Sequence, residues 1–331
     1  MGRQFSLQLD TLSTYDPMNL SYAFSVLGFS GAAAGMGSTQ ASRWDDSVKY
    51  VFAYGPFHAA GMYTNGGSDT GIFGNAYGAN VGFTYGGFSV DGVWEQEHGV
   101  VNLQNAANNP LFSQALGVNI SDNEGWTVAG KYTFEFGRDF FGGGLKDEGP
   151  CGGLKDAPCP SPAKLTFFAG YTHAATSNPN DPVLFGQTQG GYPIRVGTSP
   201  TLSPDNNAFT TARIYQFFWT GAKYELPSGW SFTGAYYHIE QNSYVADNVA
   251  CTAGGASRLQ CAGAFNQGSF LIDYAFNKHL DVYGGVTYAR SDDGLASGFQ
   301  GNPGVKAGFG VSGTGTSVDI FDFVTGVRLK F

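Results

Sequence analysis

The last segment of the chain, Ser317 to Phe331, alternates apolar and polar side chains up to the final residue. In a strand, which has a period of two residues, its apolar positions share one side and its charged positions share the other. The first set is Phe321, Phe323, Val327, Leu329 and Phe331, and the second is Asp322, Arg328 and Lys330. One face suits hydrocarbon and the other suits water, whereas an exposed apolar strand invites aggregation of a soluble domain. In an outer-membrane barrel the last strand pairs with the first, so this segment favours such a barrel.

The composition favours strands over helices. The chain of 331 residues contains 50 Gly, 28 Phe, 18 Tyr and 5 Trp, and only 13% of its residues are charged. Aromatic residues suit strands, and the chain lacks the run of about 18 apolar residues that a membrane helix needs. The net charge is −9, and Lys and Arg do not cluster, which argues against a nucleic-acid partner.

Alternating segments separated by turn residues predict about eleven strands. They lie at 43–54, 57–64, 75–85, 88–97, 124–136, 164–173, 209–225, 229–240, 268–276, 279–290 and 317–331. Short links such as Gly86-Gly87 alternate with long polar links, as periplasmic turns and outer loops do in a membrane barrel. A soluble β-sandwich also alternates, but its strands are shorter and its aromatic residues do not gather beside the short turns. The sequence therefore predicts an all-β fold, a transmembrane antiparallel β-barrel.

Five stretches of the chain resemble a known family. They are Gly2-Arg3-Gln4, Arg43 to Tyr50, Asp281 to Tyr288, Gly294 to Gly298, and Thr325 to Phe331. Together, in this order, they resemble the general diffusion porins of Gram-negative bacteria, especially the β-proteobacterial type. The resemblance implies a barrel of sixteen strands, a homotrimer in the outer membrane, and a third loop folded into the pore. It also implies contact with the lipid bilayer and lipopolysaccharide, recognition of the Phe331 terminus by the barrel-assembly machinery, and no cofactor or metal.

The resemblance also suggests how the chain is divided. Residues 1–42 would be the end of strand five and the inward-folded constriction loop, and residues 43–331 would be strands six to sixteen. Eleven up-and-down strands would leave the first and last strands running in the same direction, and no export signal follows Met1. Open edges in hydrocarbon are costly, so we expect an N-terminally truncated chain. Alternatively, Arg3 to Leu9 forms a short twelfth strand.

Pore-lining residues are expected on the inward face and in the segment before Ser42. The strand starting at Arg43 places Arg43, Asp45, Ser47 and Lys49 on one parity, which we expect to face the lumen. Other residues expected to line the pore are Arg3, Asp10, Asp16, Lys131, Arg213 and Arg328. Because Asp10 and Asp16 are the acids of the loop, a basic wall facing them would create a transverse field that orients dipolar solutes.

The four cysteines form two close pairs in polar segments, Cys151 with Cys159 and Cys251 with Cys261. Neither pair has Cys-x-x-Cys spacing or a nearby His, so local loop disulfides in an oxidising compartment are favoured over a metal site. The link 137–163 contains a tandem repeat of Gly-Gly-Leu-Lys-Asp, which a slippage insertion would explain.

These observations predict a porin for passive diffusion of small hydrophilic solutes and ions across the outer membrane. Two alternatives remain open. A substrate-selective channel would show a ladder of aromatic or arginine side chains along the pore. A barrel hydrolase would need Ser and His together on the barrel exterior, and no predicted strand presents such a pair convincingly.

Overall fold

The computed structural model describes residues 1–28, 33–36, 42–66, 72, 74–105, 116–136, 162–179, 188–189, 192–193, 211–244, 262–295, 311–314 and 317–329. The chain begins with β1 (Gly2–Phe5), α1 (Leu7–Tyr15), short 3-10 helices at Val26–Gly28 and Ala33–Gly35, β2 (Arg43–Tyr54), β3 (Phe57–Thr64), β4 (Ala76–Tyr85), β5 (Phe88–Asn105), β6 (Leu116–Phe136) and β7 (Ala163–Ser177). It continues with β8 (Thr188–Gln189), β9 (Tyr192–Pro193), β10 (Arg213–Glu225), β11 (Trp230–Gln241), β12 (Gly263–Ala275), β13 (Leu280–Asp293), β14 (Val311–Thr314) and β15 (Ser317–Leu329). None of the helices in these ranges is long and apolar enough to cross a membrane.

A single antiparallel sheet of 13 strands carries the fold. Its order is β1-β2-β3-β4-β5-β6-β7-β10-β11-β12-β13-β15-β14, and β8 and β9 form a separate pair. Neighbouring long strands follow each other along the chain, so the sheet is an up-and-down meander. In the described ranges β1 pairs with β2 and β15 pairs with β13 and β14, and no ladder joins the two ends of the sheet.

The predicted strands are all present, and β2 and β3 have the predicted bounds. The largest differences are in β5, which continues to Asn105, and in β6, which already begins at Leu116. The ladder between them resumes at Val100 after an irregularity that follows Glu97. Such an irregularity interrupts the alternation of apolar and polar residues. The sequence therefore predicts a link between residues 97 and 124, where the structure continues both strands.

The short extra strand proposed at Arg3 to Leu9 is present only in its first part. Gly2–Phe5 pairs with β2, but Leu7–Tyr15 forms the helix α1 instead. Ser6 caps this helix, because its side chain accepts a hydrogen bond from the Leu9 amide at 3.1 Å. Helical spacing then places Leu7, Thr11 and Leu12 on a buried side.

The outer face of the sheet is apolar and exposed. In β2, Tyr50 and Tyr54 are 69% and 77% exposed, and in β15 Phe323 and Leu329 are 68% and 64% exposed. The same face of the intervening strands carries Val81, Tyr85, Phe88, Trp126, Val128, Tyr132, Phe134, Phe167, Phe218, Trp230, Tyr236, Phe270, Ile272 and Tyr288. A continuous apolar surface of this kind needs hydrocarbon against it.

Candidate pore constriction

An internal segment, described at residues 6–28 and 33–36, follows β1, and the chain re-enters the sheet at β2. The points where the chain leaves β1 and enters β2 are close together, because the Ser6 amide donates to the Ser42 carbonyl at 3.1 Å. At the start of α1 the Gln8 amide donates to Glu95 Oε1 at 3.1 Å, on the inner face of β5. A carboxylate at this position satisfies one of the open amides of the first helical turn and complements the helix dipole. Glu95 therefore holds the start of α1 against the wall.

The same segment crosses the interior to the opposite part of the sheet. Trp219 Nε1 on β10 donates to the Tyr15 carbonyl at 3.0 Å. Gln267 on β12 donates to the Phe24 carbonyl at 2.9 Å, and the Thr287 hydroxyl on β13 donates to the Ala23 carbonyl at 3.1 Å. Contacts from β5 to β13 mean that the sheet curves around the internal segment.

Apolar packing holds the middle of the internal segment. Leu12, Tyr15 and Phe24 are fully or almost fully buried, and they belong to one cluster with Phe217 and Trp219 of β10. Burial of side chains this size stabilises by about 1.5–3 kcal/mol each. Phe217 and Trp219 lie on the same face of β10 as Arg213, and aromatic rings of this kind do not suit the wall of a water-filled pore. The internal segment accounts for this, because it covers both aromatic rings.

Asp16, expected to line the pore, is only 1% exposed. Its carboxylate accepts hydrogen bonds from the Tyr237 hydroxyl at 2.6 Å and from the Leu20 amide at 2.7 Å. Burial raises the pKa of Asp16 above its ordinary value, and these hydrogen bonds oppose the rise. Asp16 thus anchors the internal segment to β11 and does not present its charge to the lumen.

We expect Asp16→Asn to remove a pH dependence of stability. Because burial raises the pKa of Asp16, the folded chain keeps the proton at a pH where the unfolded chain has lost it. The stability that the neutral carboxyl contributes is therefore complete below the ordinary carboxyl pKa of about 4, and it is lost as the pH rises through the raised value. Urea unfolding in detergent, followed by tryptophan fluorescence between pH 4 and pH 8, measures this slope.

A flatter slope is expected for Asp16→Asn than for the natural chain, since Asn keeps an acceptor for Tyr237 without a charge. Ser13→Ala, on the exposed side of α1, serves as the matched control and should keep the natural slope. Equal slopes in Asp16→Asn and the natural chain would contradict the assignment.

Asp10 and two predicted lysines meet at the exposed side of the segment. Lys49 Nζ lies 2.7 Å from Asp10 Oδ2 and 2.6 Å from the Phe5 carbonyl oxygen. Lys131 donates to the Thr14 carbonyl at 3.1 Å, and its ammonium lies 5.5 Å from the centre of the Tyr15 ring. Both lysines therefore contact α1 and do not project freely into water.

A bulge divides the set of residues on β2 that was expected to share one face. Asp46 has a φ of 49°, and the pairing of β1 with β2 is irregular at this point. The extra residue reverses the alternation, so Trp44 and Ser47 are both fully buried. Ser47 and Lys49 keep the inward side. The shared parity predicted for Arg43 and Asp45 with them is wrong, because it assumed a regular strand.

Where β1 pairs with β2, Arg43 and Asp45 flank the inward-facing Trp44 and lie on the opposite face, and Arg3 lies next to Asp45. The Arg43 guanidinium lies 4.9 Å from the Phe5 ring centre, and Arg3 Nε is 3.5 Å from Asp45 Oδ1. The Arg3 side chain is 63% exposed. Exposed ion pairs of this type contribute little to stability.

Two further arginines, Arg328 and Arg213, lie on the inner face of their strands, and each contacts other side chains there. Arg328 Nε donates to Asp281 Oδ1 at 2.7 Å, and its NH2 group contacts the carboxylate of Asp273. Arg213 is 9% exposed and lies 5.0 Å from the centre of the Tyr215 ring. The remaining expected residues, Cys151, Cys159, Cys251, Cys261 and Phe331, lie outside the described residues, as does most of the link 137–163.

Sequence analysis missed several inward-facing polar residues. Glu95 and Glu97 on β5 are fully buried, and Trp44 donates to Glu97 Oε1 at 2.9 Å. His58 Nε2 lies 2.6 Å from Asp91 Oδ1 on the same wall. The alternation of β5 places Asp91, Glu95 and Glu97 on the inner face, and this signal could have identified them. Their partners belong to distant parts of the chain.

Comparison with solved structures identifies the fold. The anion-selective porin from Comamonas acidovorans matches at 16% identity over 100% of this chain and 73% of that chain, with a TM-score of 0.54. OmpT, an outer membrane protein of Vibrio cholerae, matches in its in-vitro folded form at 14% identity over 99% and 74%, with a TM-score of 0.55. Its trimer form matches at 14% identity over 98% and 76%, with a TM-score of 0.52.

No protein-family model and no curated protein matches the chain. Likeness at 14–16% identity shows the fold alone, and that fold is the antiparallel β-barrel of Gram-negative outer-membrane proteins.

Proposed function

We propose that this chain forms a porin-like channel in the outer membrane of a Gram-negative bacterium, through which small hydrophilic solutes and ions diffuse passively. The observation that carries this proposal is the internal segment, described at residues 6–28 and 33–36, which lies inside a sheet with an apolar outer face. Membrane barrels of this kind enclose a water-filled channel or a plugged lumen, and a segment across the interior narrows any water path. The proposal involves no covalent chemistry and no cofactor.

The exposed side of the internal segment supports a water-filled path beside it. Ser13, Thr14 and Asn19 are exposed there, and Tyr22 is 77% exposed. Hydroxyl, amide and phenol groups of this kind suit a hydrated constriction. In this proposal residues 1–42 supply the last part of one strand and the constriction, and residues 43–331 supply the barrel wall.

We further propose that the pore is lined by Asp10, Lys49, Lys131 and Arg328, with Arg3, Arg43 and Asp45 at its rim and Asp16, Ser47 and Arg213 as internal anchors. A homotrimer is supported by the structural likeness to the trimer form of OmpT from Vibrio cholerae. The other proposed partners are the lipid bilayer, lipopolysaccharide and the barrel-assembly machinery, which would recognise the Phe331 terminus. The disulfides Cys151–Cys159 and Cys251–Cys261 remain part of the proposal.

The test is electrical recording of the refolded chain in planar lipid bilayers. We expect discrete conductance steps, whose size grows linearly with salt concentration, because a passive water-filled path has no saturable site. Swelling of liposomes in small neutral sugars should depend on sugar size. Steps blocked in a saturable manner by one solute would favour a substrate-selective channel. Folded protein without any conductance would contradict the proposal.

A further inference from the structure

The charges on the inner face indicate which ions the proposed channel favours. Basic residues on this face of the described strands are Lys49, Lys131, Lys164, Arg213, Lys223 and Arg328. Acidic residues on this face and in the internal segment are Asp10, Asp16, Asp91, Glu95, Glu97, Glu135, Glu225, Asp273, Asp281 and Asp322. The acidic set is the larger. We propose that the channel conducts small cations in preference to anions, an inference that rests on the proposed channel function.

Three of these six basic residues are neutralised by one carboxylate each. Lys49 pairs with Asp10 at 2.7 Å. Lys164 pairs with Glu135 at 2.8 Å, and Lys223 Nζ lies 2.8 Å from Glu225 Oε1. A neutralised pair creates little field beyond about one Debye length. The basic wall expected from the sequence therefore does not present a row of free positive charges.

The remaining basic groups do not create an excess of positive charge. Arg328 contacts both Asp281 and Asp273, so its positive charge is offset by two neighbouring carboxylates. Lys131 donates to a carbonyl, and the carboxylate of Asp91 acts on it electrostatically. Arg213 is 9% exposed. Asp16, Glu95 and Glu97 are fully or almost fully buried, so water does not reach them, and the field in the water path comes from the other seven acids.

Among the acids on the inner face of the described strands, Asp322 is the most available to an ion in transit. It is directly opposite Thr287 in the ladder between β13 and β15, so both side chains lie on the inner face. The Thr287 hydroxyl holds the Ala23 carbonyl of the internal segment, which places Asp322 beside the segment's far end. Asp322 is exposed, and within the described part of the chain it makes no hydrogen bond or ion pair.

An unpaired carboxylate beside a narrow water path raises the local concentration of cations and lowers that of anions. The effect is stronger than in bulk water, because the protein wall has a low dielectric constant and focuses the field. Asp322 and Arg328 lie on the same strand, β15, and the charge of Arg328 is offset by Asp281 and Asp273, so Arg328 does not oppose the field of Asp322. The formal net charge of the whole chain, −9, has the same sign.

The test is the zero-current potential across a bilayer with a tenfold gradient of KCl. We expect the sign that denotes cation preference. Asp322→Asn should lower the ratio of cation to anion permeability by about half, which is the effect of removing one poorly screened charge. The matched control is Asp319→Asn on the same strand, because Asp319 lies on the outer face, where it accepts from the Tyr288 hydroxyl at 2.7 Å. This control should leave the ratio unchanged.

The outcomes separate the two proposals. Conductance with an anion preference, or an Asp322→Asn ratio equal to that of the natural chain, overturns the cation preference and leaves the channel intact. An equal decrease of the ratio of cation to anion permeability in Asp322→Asn and Asp319→Asn also overturns it, because the ratio would then depend on the net charge of the protein and not on the position of Asp322. Folded protein without conductance overturns the channel itself. Heat-dependent mobility on a gel establishes that each variant is folded.

Discussion

Replacing residues 8–40 by a short Gly-Ser linker is expected to raise the single-channel conductance of the refolded chain, roughly two- to fivefold for a barrel whose interior filling is removed. The chain on the two sides of the replaced residues is already joined by the hydrogen bond from the Ser6 amide to the Ser42 carbonyl. A linker can therefore connect β1 with β2 without moving either strand. Planar-bilayer recording at fixed salt measures the change.

The replacement also uncovers apolar side chains of the inner wall. Phe217, Trp219 and Tyr237 lose the partners that keep them 0–3% exposed, so the linker variant should unfold at a lower urea concentration. Asp319→Asn, on the outer face of β15, serves as the control and should leave the conductance unchanged. An unchanged conductance in the folded linker variant would show that the internal segment does not narrow the path.

Arg328→Ala is expected to lower the free energy of unfolding by about 2 kcal/mol. The Arg328 guanidinium bridges carboxylates on two neighbouring strands, and the Asp281 side chain is only 3% exposed. Without the guanidinium this carboxylate stays buried next to a second negative charge. Arg328 itself is 47% exposed, so water offsets part of the loss and the value lies below that of a fully buried pair. Urea titration in detergent gives the free energy.

The control for this variant is Arg290→Ala on the outer face. Arg290 Nε lies 3.0 Å from Asp292 Oδ1, and the two side chains are 48% and 30% exposed. An exposed pair should contribute less than about 1 kcal/mol. If both variants lost the same stability, the location of Arg328 on the inner face would not be the reason. Asp281→Asn in the Arg328→Ala background should recover part of the loss, because it removes the repulsion between the carboxylates of Asp281 and Asp273.

Sequence analysis predicted the strands because strand alternation is a local property. Each side chain in a regular strand points to the side opposite its neighbour, so a run such as Tyr77 to Tyr85 reveals both the strand and its outer face. Turn residues at Gly55 and Gly86, with φ of 59° and 58°, mark the tight links for an equally local reason. The apolar outer face could also be assigned, since lipid selects for it at every strand.

The helix α1 and the buried anchors could not be predicted in the same way. The segment Leu7–Tyr15 has a weak apolar pattern, and its helical state is stabilised by Glu95 and Trp219, which are far away in the sequence. The sequence predicts that Asp16 faces the lumen, and only its contact with Tyr237 shows that it anchors the internal segment to β11. The bulge at Asp46 changes parity within one residue and leaves no signal in the residue types on either side.

The sequence by itself determined the class of fold, most strand positions and the side of each strand that faces lipid. The terminal segment through Leu329 shows this best, because its alternation survives intact in β15. Tertiary structure decided what the inward side chains do. Arg328 is paired, Asp16 is buried and Asp322 is left open because of contacts between strands and the internal segment, and such contacts depend on the curvature of the whole sheet. Periodicity shows which face a residue occupies, but burial and pairing on that face depend on what the fold packs against it.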